Sequence, residues 1–129
     1  MSALKTCFLV EDDEEDQEIF LLALKHVNES VSCMIAGNGM EAIEKLTSTD
    51  QVVDIIFLDL NMPLMNGKQF LRERKKYSSI EHIPVVIYST SSELADKEET
   101  ISLGARDFIT KPTYIADLVK VLSKFFSKT

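Results

Sequence analysis

Five short apolar runs recur along the chain, and segments of helical periodicity separate them. The runs are rich in Val, Ile and Phe and show little alternation of apolar and polar positions, which is typical of strands buried on both faces. They cover residues 6–10, 31–36, 52–60, 85–89 and 108–110. The pattern therefore predicts five buried strands.

Between the strands, apolar residues recur at intervals of three and four positions, as on one face of an amphipathic helix. In the first helical segment these residues are Ile19, Phe20, Ala23, Leu24 and Val27. In the last they are Ile115, Leu118, Val119, Leu122 and Phe126. Asn-Gly pairs open the second and third segments, and Gly104 follows the fourth, where a left-handed residue commonly ends a helix.

The strict alternation of strand and helix determines the predicted fold class. Parallel strands require crossover connections, and the intervening helices supply them. We predict an α/β protein with a doubly wound, five-stranded parallel sheet and helices on both faces. The length of 129 residues favours one domain that spans residues 1–129.

The charge balance narrows the classes of partner. With 14 basic and 21 acidic residues the chain carries a formal charge of −7, which repels nucleic acids and anionic membranes. No apolar run approaches the roughly 20 residues that span a bilayer, and the first residues do not resemble a signal peptide. We therefore expect a cytoplasmic protein in which Cys7 and Cys33 are buried, free thiols.

Reactive side chains follow the predicted strands at their carboxyl ends. Glu11 and Asp12 come directly after the first strand, Asp59 lies at the end of the third, Ser89 ends the fourth, and Lys111 follows the fifth. Ligands of doubly wound sheets bind beyond this edge, near the point where the strand order reverses. We therefore expect these residues to form one site.

Three carboxylates at close quarters favour a bound cation, because like charges raise one another's pKa. Carboxylate oxygens with open water positions suit Mg²⁺. Such an ion would offset the repulsion between Asp59 and an incoming phosphoryl group, while Lys111 and the hydroxyl of Ser89 contact the other phosphoryl oxygens. The set predicts phosphoryl transfer onto the Asp59 carboxylate.

The motifs at these strand ends resemble those of the receiver domains of two-component response regulators. The matching residues are Val10-Glu11-Asp12-Asp13, Asp59-Leu60-Asn61-Met62-Pro63 with Asn66-Gly67, Pro84 through Ser89-Thr90, and Lys111-Pro112. The resemblance covers nearly the whole chain and extends to single-domain regulators of chemotaxis and of phytochromes. It implies a flavodoxin-like sheet of strand order 2-1-3-4-5. Because the sequence ends just after the last helical segment, we expect a receiver without an output domain.

The resemblance also implies a role for each acidic residue. Asp59 would be the phosphoacceptor, and the protein would be a signalling phosphoacceptor instead of an enzyme. Asp12 would bind Mg²⁺ directly, Glu11 directly or through water, and Asn61 through its backbone carbonyl. Lys111 would pair with Asp59 and then with the phosphoryl group. Glu11 departs from the family's commoner Asp at its position.

Three further features follow from the resemblance. Ser89 occupies the position of the hydroxyl that swings toward the phosphoryl group. Phe108 occupies that of the aromatic switch residue, although the family often has Tyr there, so an inward swing would act through packing. The Lys111–Pro112 peptide bond would be cis.

The remaining carboxylates of the first acidic run, Glu14 to Asp16, are assigned to a solvated first helical turn, where negative side chains complement the helix dipole.

Other functions remain open. A Mg²⁺-dependent phosphatase with Asp59 as its nucleophile would need a second carboxylate where the chain has Asn61, and a substrate lid. A flavin-binding electron carrier would need a phosphate loop where the acidic run of residues 11–16 repels phosphate. An adaptor that is never phosphorylated would carry the same side chains as a working receiver.

The resemblance implies a histidine kinase or a histidine phosphotransfer protein as the donor. The fourth helix, near residues 93–103, has few apolar side chains, chiefly Leu94 and Ile101, and weak burial makes it a mobile element. Output would run through protein contacts, relay to another phosphotransfer protein, or phosphorylation-linked dimerisation. A second apolar stripe on the last helix, Tyr114, Val121 and Phe125, is either partly buried or part of a partner surface.

Overall fold

The computed structural model describes residues 4–127 and contains one five-stranded parallel sheet of order β2-β1-β3-β4-β5. Its strands are β1 (Thr6–Val10), β2 (Ser32–Ala36), β3 (Ile55–Leu58), β4 (Val85–Ser89) and β5 (Asp107–Thr110). Its helices are α1 (Glu14–Val27), α2 (Gly39–Ser48), α3 (Gly67–Glu73), α4 (Leu94–Ser102) and α5 (Ile115–Phe126). The predicted α/β class, strand number and strand order are confirmed.

Two apolar layers cover the sheet, because successive strand residues point to opposite faces. On one face, Leu9 and Phe57 pack with α1 and α5. On the other, Phe8 and Ile56 pack with α2 and α3. Phe8 and Phe57 are fully buried, which explains why the strands read as continuous apolar runs.

The amphipathic faces predicted for α1 and α5 are buried or, at Val27 and Val119, half-buried, except at their first members. Phe20, Ala23 and Leu24 of α1 lie in the core, whereas Ile19 is exposed. Leu118, Leu122 and Phe126 of α5 are buried, whereas Ile115 is exposed. Both exposed residues line a cleft at the carboxyl edge of the sheet, where the helices begin beyond the reach of the core.

Partial burial and a partner surface were the two interpretations of the second apolar stripe of the last helix, and its residues differ in burial. Phe125 is half-buried, and its ring stacks edge-to-face on Phe57, with 5.5 Å between the ring centroids. Val121 is also half-buried, but Tyr114 is largely exposed. Partial burial therefore accounts for Val121 and Phe125, and it does not account for Tyr114.

The third strand is shorter than its apolar run. At its amino end, the carboxylate of Asp54 accepts hydrogen bonds from the N–H groups of Lys5 and Thr6 at 2.8 and 3.0 Å, and the Asp54 N–H donates to Thr6 O at 2.9 Å. At its carboxyl end the chain leaves the sheet after Leu58. Asp59 therefore lies just beyond the strand, at the edge that faces the helix amino termini.

Close contact at Gly67 brings the start of α3 against the end of β3. A Cβ atom at this position would lie 2.9 Å from Leu60 Cα, and the Gly67 N–H donates to Leu60 O at 3.1 Å. Asn66 closes the turn with a capping box, in which its side chain and that of Gln69 each accept the other's backbone N–H. The β3–α3 connection is thus held tightly beside Asp59.

The predicted cis bond between Lys111 and Pro112 is wrong. Within residues 4–127 the structure contains no cis peptide bond. The trans form is intrinsically favoured by about 0.5–1 kcal/mol. With the bond trans, the Lys111 N–H already donates to Ser89 O at 2.7 Å and its ammonium already reaches the carboxylates, so the loop gains these contacts without isomerisation.

Three smaller predictions from the sequence can be compared with the structure. Gly104 has a φ of +107°, which confirms a glycine with positive φ at the end of α4. Cys7 and Cys33 are free, but Cys33 is only half-buried because β2 is the edge strand. No helix among the described residues has the length and apolar character needed to cross a membrane.

Candidate functional site

The carboxyl ends of β1 and β3 bring three carboxylates together. Val10 and Leu58 are paired across these strands, and the Asp59 N–H donates to Val10 O at 3.0 Å. The residues that follow, Glu11 and Asp59, are therefore neighbours. With Asp12 they offer carboxylate oxygens that all lie within 4.8 Å of one another.

The three carboxylates differ in burial. Glu11 is 1% exposed and Asp59 is 5% exposed, whereas Asp12 faces solvent. Two buried oxygen ligands beside an exposed one leave room for water in the coordination sphere of a hard cation. The donor set thus fits a divalent ion such as Mg²⁺ or Mn²⁺.

The electrostatics of the site favour incoming positive charge. Burial raises the pKa of Glu11 to about 7, and the neighbouring Asp59 adds to the rise while Lys111 opposes it. Burial also raises the pKa of Asp59, again against the effect of Lys111. Both carboxyls are thus short of compensating charge, which a divalent cation would supply.

The Lys111 ammonium has three carboxylate neighbours. Its Nζ lies 2.6 Å from Glu11 Oε1, 2.8 Å from Asp16 Oδ2 and 3.9 Å from Asp59 Oδ2. Burial alone would lower its pKa, but the hydrogen bonds to Asp16 and Glu11 raise the pKa above the usual lysine range. The ammonium therefore stays charged and near Asp59, although its short contacts are with the other two carboxylates.

Sequence reasoning missed Asp16 and Tyr88. The assignment of Asp16 to a solvated turn is wrong, because its carboxylate is bonded to Lys111. Asp13 caps α1 and accepts the Asp16 N–H at 3.1 Å, so Asp16 occupies the third helical position, where side chains reach back toward the cap. Its partner Lys111 lies 95 residues away in sequence, so no local pattern singles out Asp16 among the neighbouring carboxylates. The Tyr88 ring centroid lies 5.3 Å from Lys111 Nζ, a cation–π contact.

Asn61 and Ser89 lie at the edges of this cluster. The Asn61 N–H donates a 3.4 Å hydrogen bond to Asp59 Oδ1, so the chain turns back over the carboxylate. Ser89 is fully buried, and its Oγ accepts the Ser91 N–H at 3.3 Å. Phe108 is half-buried beside Ser89's strand, and the Lys97 ammonium lies 5.9 Å from its ring centroid.

A group of ion pairs next to the site joins α3 to α4, and we call it the α3–α4 cluster. Its members are Lys68, Arg72, Asp96 and Glu99. Lys68 Nζ lies 2.7 Å from Asp96 Oδ1 and 2.8 Å from Glu99 Oε1. The one buried residue of α4 is Thr100, so these polar contacts make up much of what holds the helix in place.

Comparison with known proteins identifies relatives over nearly the whole chain. The family model described as response regulator receiver domain matches residues 7–123. The two-component response regulator ORR8 of Oryza sativa is 32% identical over 114 residues, which cover 88% of this chain and 92% of that protein. The sensor histidine kinase CheAY of Helicobacter pylori is 29% identical over 114 residues, or 86% of this chain and 14% of the kinase.

Solved structures agree with the family match. The phosphorylated cyanobacterial phytochrome response regulator RcpA superposes with a TM-score of 0.84 at 31% identity, covering 95% of this chain and 91% of that one. The Mn²⁺-bound response regulator Rcp1 gives 0.80 at 28% identity, with coverages of 93% and 90%. Four relatives are far longer than this chain, which spans 14%, 6%, 20% and 5% of their lengths.

Proposed function

The chain belongs to the family of response regulator receiver domains, and from this membership we propose that it accepts a phosphoryl group on Asp59 in a two-component phosphorelay. The observation that carries the proposal is the convergence of a buried Asp59, two further carboxylates and the Lys111 ammonium at one edge of the sheet. This arrangement supplies a nucleophile, a cation site and a fixed positive charge.

In the proposed reaction a carboxylate oxygen of Asp59 attacks the phosphorus of a phosphohistidine. A P–O bond forms, the P–N bond breaks, and the imidazole nitrogen keeps the electron pair and takes a proton from water. Lys111 supports this step because its ammonium, 3.9 Å from Asp59 Oδ2, neutralises charge on a phosphoryl oxygen. Ser89 donates its hydroxyl to another phosphoryl oxygen after leaving its contact with Ser91.

The cofactor that we propose is Mg²⁺. Glu11, Asp12 and Asp59 would hold it through carboxylate oxygens, and Asn61 through its backbone carbonyl. When bound, the ion supplies charge that offsets the repulsion between the Asp59 carboxylate and the phosphoryl group. The Mn²⁺-bound relative Rcp1 supports a divalent-cation site in this fold.

We place the proposed response to phosphorylation in α4 and β5. The β4–α4 loop begins at Ser89, and α4 buries only Thr100, so its position can shift at small cost. Phe108 would follow the Ser89 hydroxyl inward, since it lies on β5 beside α4. The altered α4–β5–α5 surface would then bind a downstream protein, relay the phosphoryl group or support dimerisation.

The proposed donor is a histidine kinase or a histidine phosphotransfer protein. Three relatives that contain matching segments are named as histidine kinases. A donor histidine must reach Asp59, so its protein has to rest on the rim of the site, where Ile19, Tyr114 and Ile115 expose apolar surface. The free Cys7 and Cys33 support a reducing, cytoplasmic location.

The test of the proposed function is intact-protein mass after incubation with acetyl phosphate and Mg²⁺. We expect one phosphoryl adduct that requires Mg²⁺ and is lost in Asp59→Asn. The matched control is Asp54→Asn, which removes an aspartate from the opposite edge of the sheet. If the wild type forms neither the adduct nor a beryllofluoride complex, the proposal fails in favour of a non-phosphorylated adaptor.

A further inference from the structure

One ammonium in the site is shared among three carboxylates, and only two of them hold it closely. Lys111 Nζ lies within 2.8 Å of Glu11 and Asp16, but 3.9 Å from Asp59. Glu11 already belongs to the candidate cation site, whereas Asp16 lies outside that cluster, in the first turn of α1. The unexplained contact is therefore the one to Asp16.

The position of Asp16 is fixed from both sides. Its backbone N–H is bonded to the capping side chain of Asp13, and its carboxylate is bonded to Lys111 across 95 residues of sequence. Lys111 is fixed as well, because its own N–H donates to Ser89 O at 2.7 Å. The ring of Tyr88 lies against the ammonium. Only the end of the lysine side chain is free to move between Asp16 and Asp59.

From this geometry we propose that Asp16 is a positioning residue that holds Lys111 on the α1 side of the site, away from Asp59, until a phosphoryl group arrives. The inference rests on the proposed function, since it concerns how the same site stabilises its phosphoryl group. The attraction between opposite charges weakens as the distance between them grows, so an ammonium held beside Asp16 is attracted less strongly to a phosphoryl group on Asp59. Asp16 and the phosphoryl group therefore compete for one ammonium.

The competition predicts the behaviour of Asp16→Asn. Without the carboxylate, Lys111 pairs more closely with the phosphoryl oxygens, so the phosphorylated protein lives longer. We expect the half-life of the aspartyl phosphate to rise by about threefold to tenfold, the range set by a partly screened ion pair. Phosphorylation by acetyl phosphate becomes faster as well, because one repelling negative charge leaves the entry to the site.

Two variants separate positioning from general charge. Glu15→Gln removes a neighbouring, exposed carboxylate of the same helical turn for which the structure shows no contact with Lys111, and we expect its half-life to stay within twofold of wild type. Asp16→Glu keeps a carboxylate that can still reach the ammonium, and we expect it to return the half-life toward that of wild type. Equal effects of Asp16→Asn and Glu15→Gln would overturn the inference.

A second readout does not depend on phosphorylation. The ¹⁵N signal of the Lys111 ammonium, assigned by its loss in Lys111→Arg, reports the exchange of its protons with water. We expect this exchange to accelerate in Asp16→Asn and to stay unchanged in Glu15→Gln. If the wild type takes no phosphoryl group, the proposed function fails, and this signal alone decides whether Asp16 restrains the lysine. An unchanged signal in Asp16→Asn overturns the inference.

Discussion

The hydroxyl of Ser91 donates a 2.6 Å hydrogen bond to Asp96 Oδ2, which ties the β4–α4 loop to α4. The other oxygen of this carboxylate accepts from Lys68 of α3 at 2.7 Å. Because the Ser91 N–H also donates to Ser89 Oγ, a continuous chain of polar contacts runs from the proposed switch hydroxyl to the α3–α4 cluster. Movement of the Ser89 hydroxyl therefore breaks a contact with Ser91, the residue whose own side chain is bonded to α4.

Loss of the Lys68 ammonium should loosen α4 more than it destabilises the whole protein. In Lys68→Met we expect the α4 amide hydrogens to exchange faster, while the free energy of unfolding falls by less than about 1 kcal/mol, as for other partly exposed ion pairs. Hydrogen exchange and urea unfolding measure the two quantities. Lys76→Met, which removes the exposed Lys76–Glu73 pair elsewhere, is the control and should leave α4 unchanged.

The same cluster predicts a pH dependence. The hydrogen bonds from Lys68 and then from Ser91 hold the pKa of Asp96 below its usual value. A carboxyl whose pKa is lower in the folded state stabilises it fully above its unfolded pKa of about 3.9, and this contribution is lost as the pH falls through the folded value. The protection of α4 should therefore persist to about pH 4 and decline below it. NMR titration of the Asp96 carboxyl carbon should give a low midpoint that rises in Lys68→Met, and an unchanged midpoint would contradict this assignment.

Leu64 occupies a strained backbone position in the connection between β3 and α3. Its φ is +63°, in the left-handed region, and its side chain is 77% exposed, so burial does not offset the strain. Left-handed backbone costs an L-residue with a Cβ about 1–2 kcal/mol. We expect Leu64→Gly to raise the free energy of unfolding by up to about 1 kcal/mol, measured by urea denaturation. Val52→Gly, at an equally exposed position without positive φ, should lower it.

Gly67 should not tolerate a side chain. A Cβ there would lie 2.9 Å from Leu60 Cα, a backbone contact that cannot relax by side-chain rotation. Gly67→Ala should lower the free energy of unfolding by about 1–3 kcal/mol and reduce phosphorylation, because the β3–α3 connection shifts beside Asp59. Gly37→Ala is the matched control, since its Cβ would meet only the Glu41 side chain at 3.4 Å. Equal stabilities of the two variants would contradict this account.

The fold was predictable because its strands are buried on both faces. Continuous apolar runs located the strands, and the rule that sites of such sheets lie at the carboxyl edge correctly placed Glu11 beside Asp59. The rule works because residues that follow paired strand ends, such as Val10 and Leu58, are neighbours in space. Local sequence therefore carries most of the information about the acidic cluster.

The contacts of Lys111 were less predictable. A run of six acidic residues gives no local sign of which carboxylate turns inward, because the partner of Asp16, Lys111, lies 95 residues away in sequence. The aromatic contact with Tyr88 is likewise tertiary, since Tyr88 reads simply as part of an apolar strand. The Lys111–Pro112 isomer was predicted from resemblance alone, and that prediction was wrong because the loop makes its contacts in the trans form.

The central claim is that Asp59, and no neighbouring carboxylate, receives the phosphoryl group. Borohydride reduces an aspartyl phosphate to homoserine, so the most direct measurement is peptide mass spectrometry after treatment with acetyl phosphate and Mg²⁺ followed by borohydride. The account predicts homoserine in place of Asp59, and none in a sample without acetyl phosphate. Reduction at Glu11 or Asp12, with Asp59 intact, would contradict it.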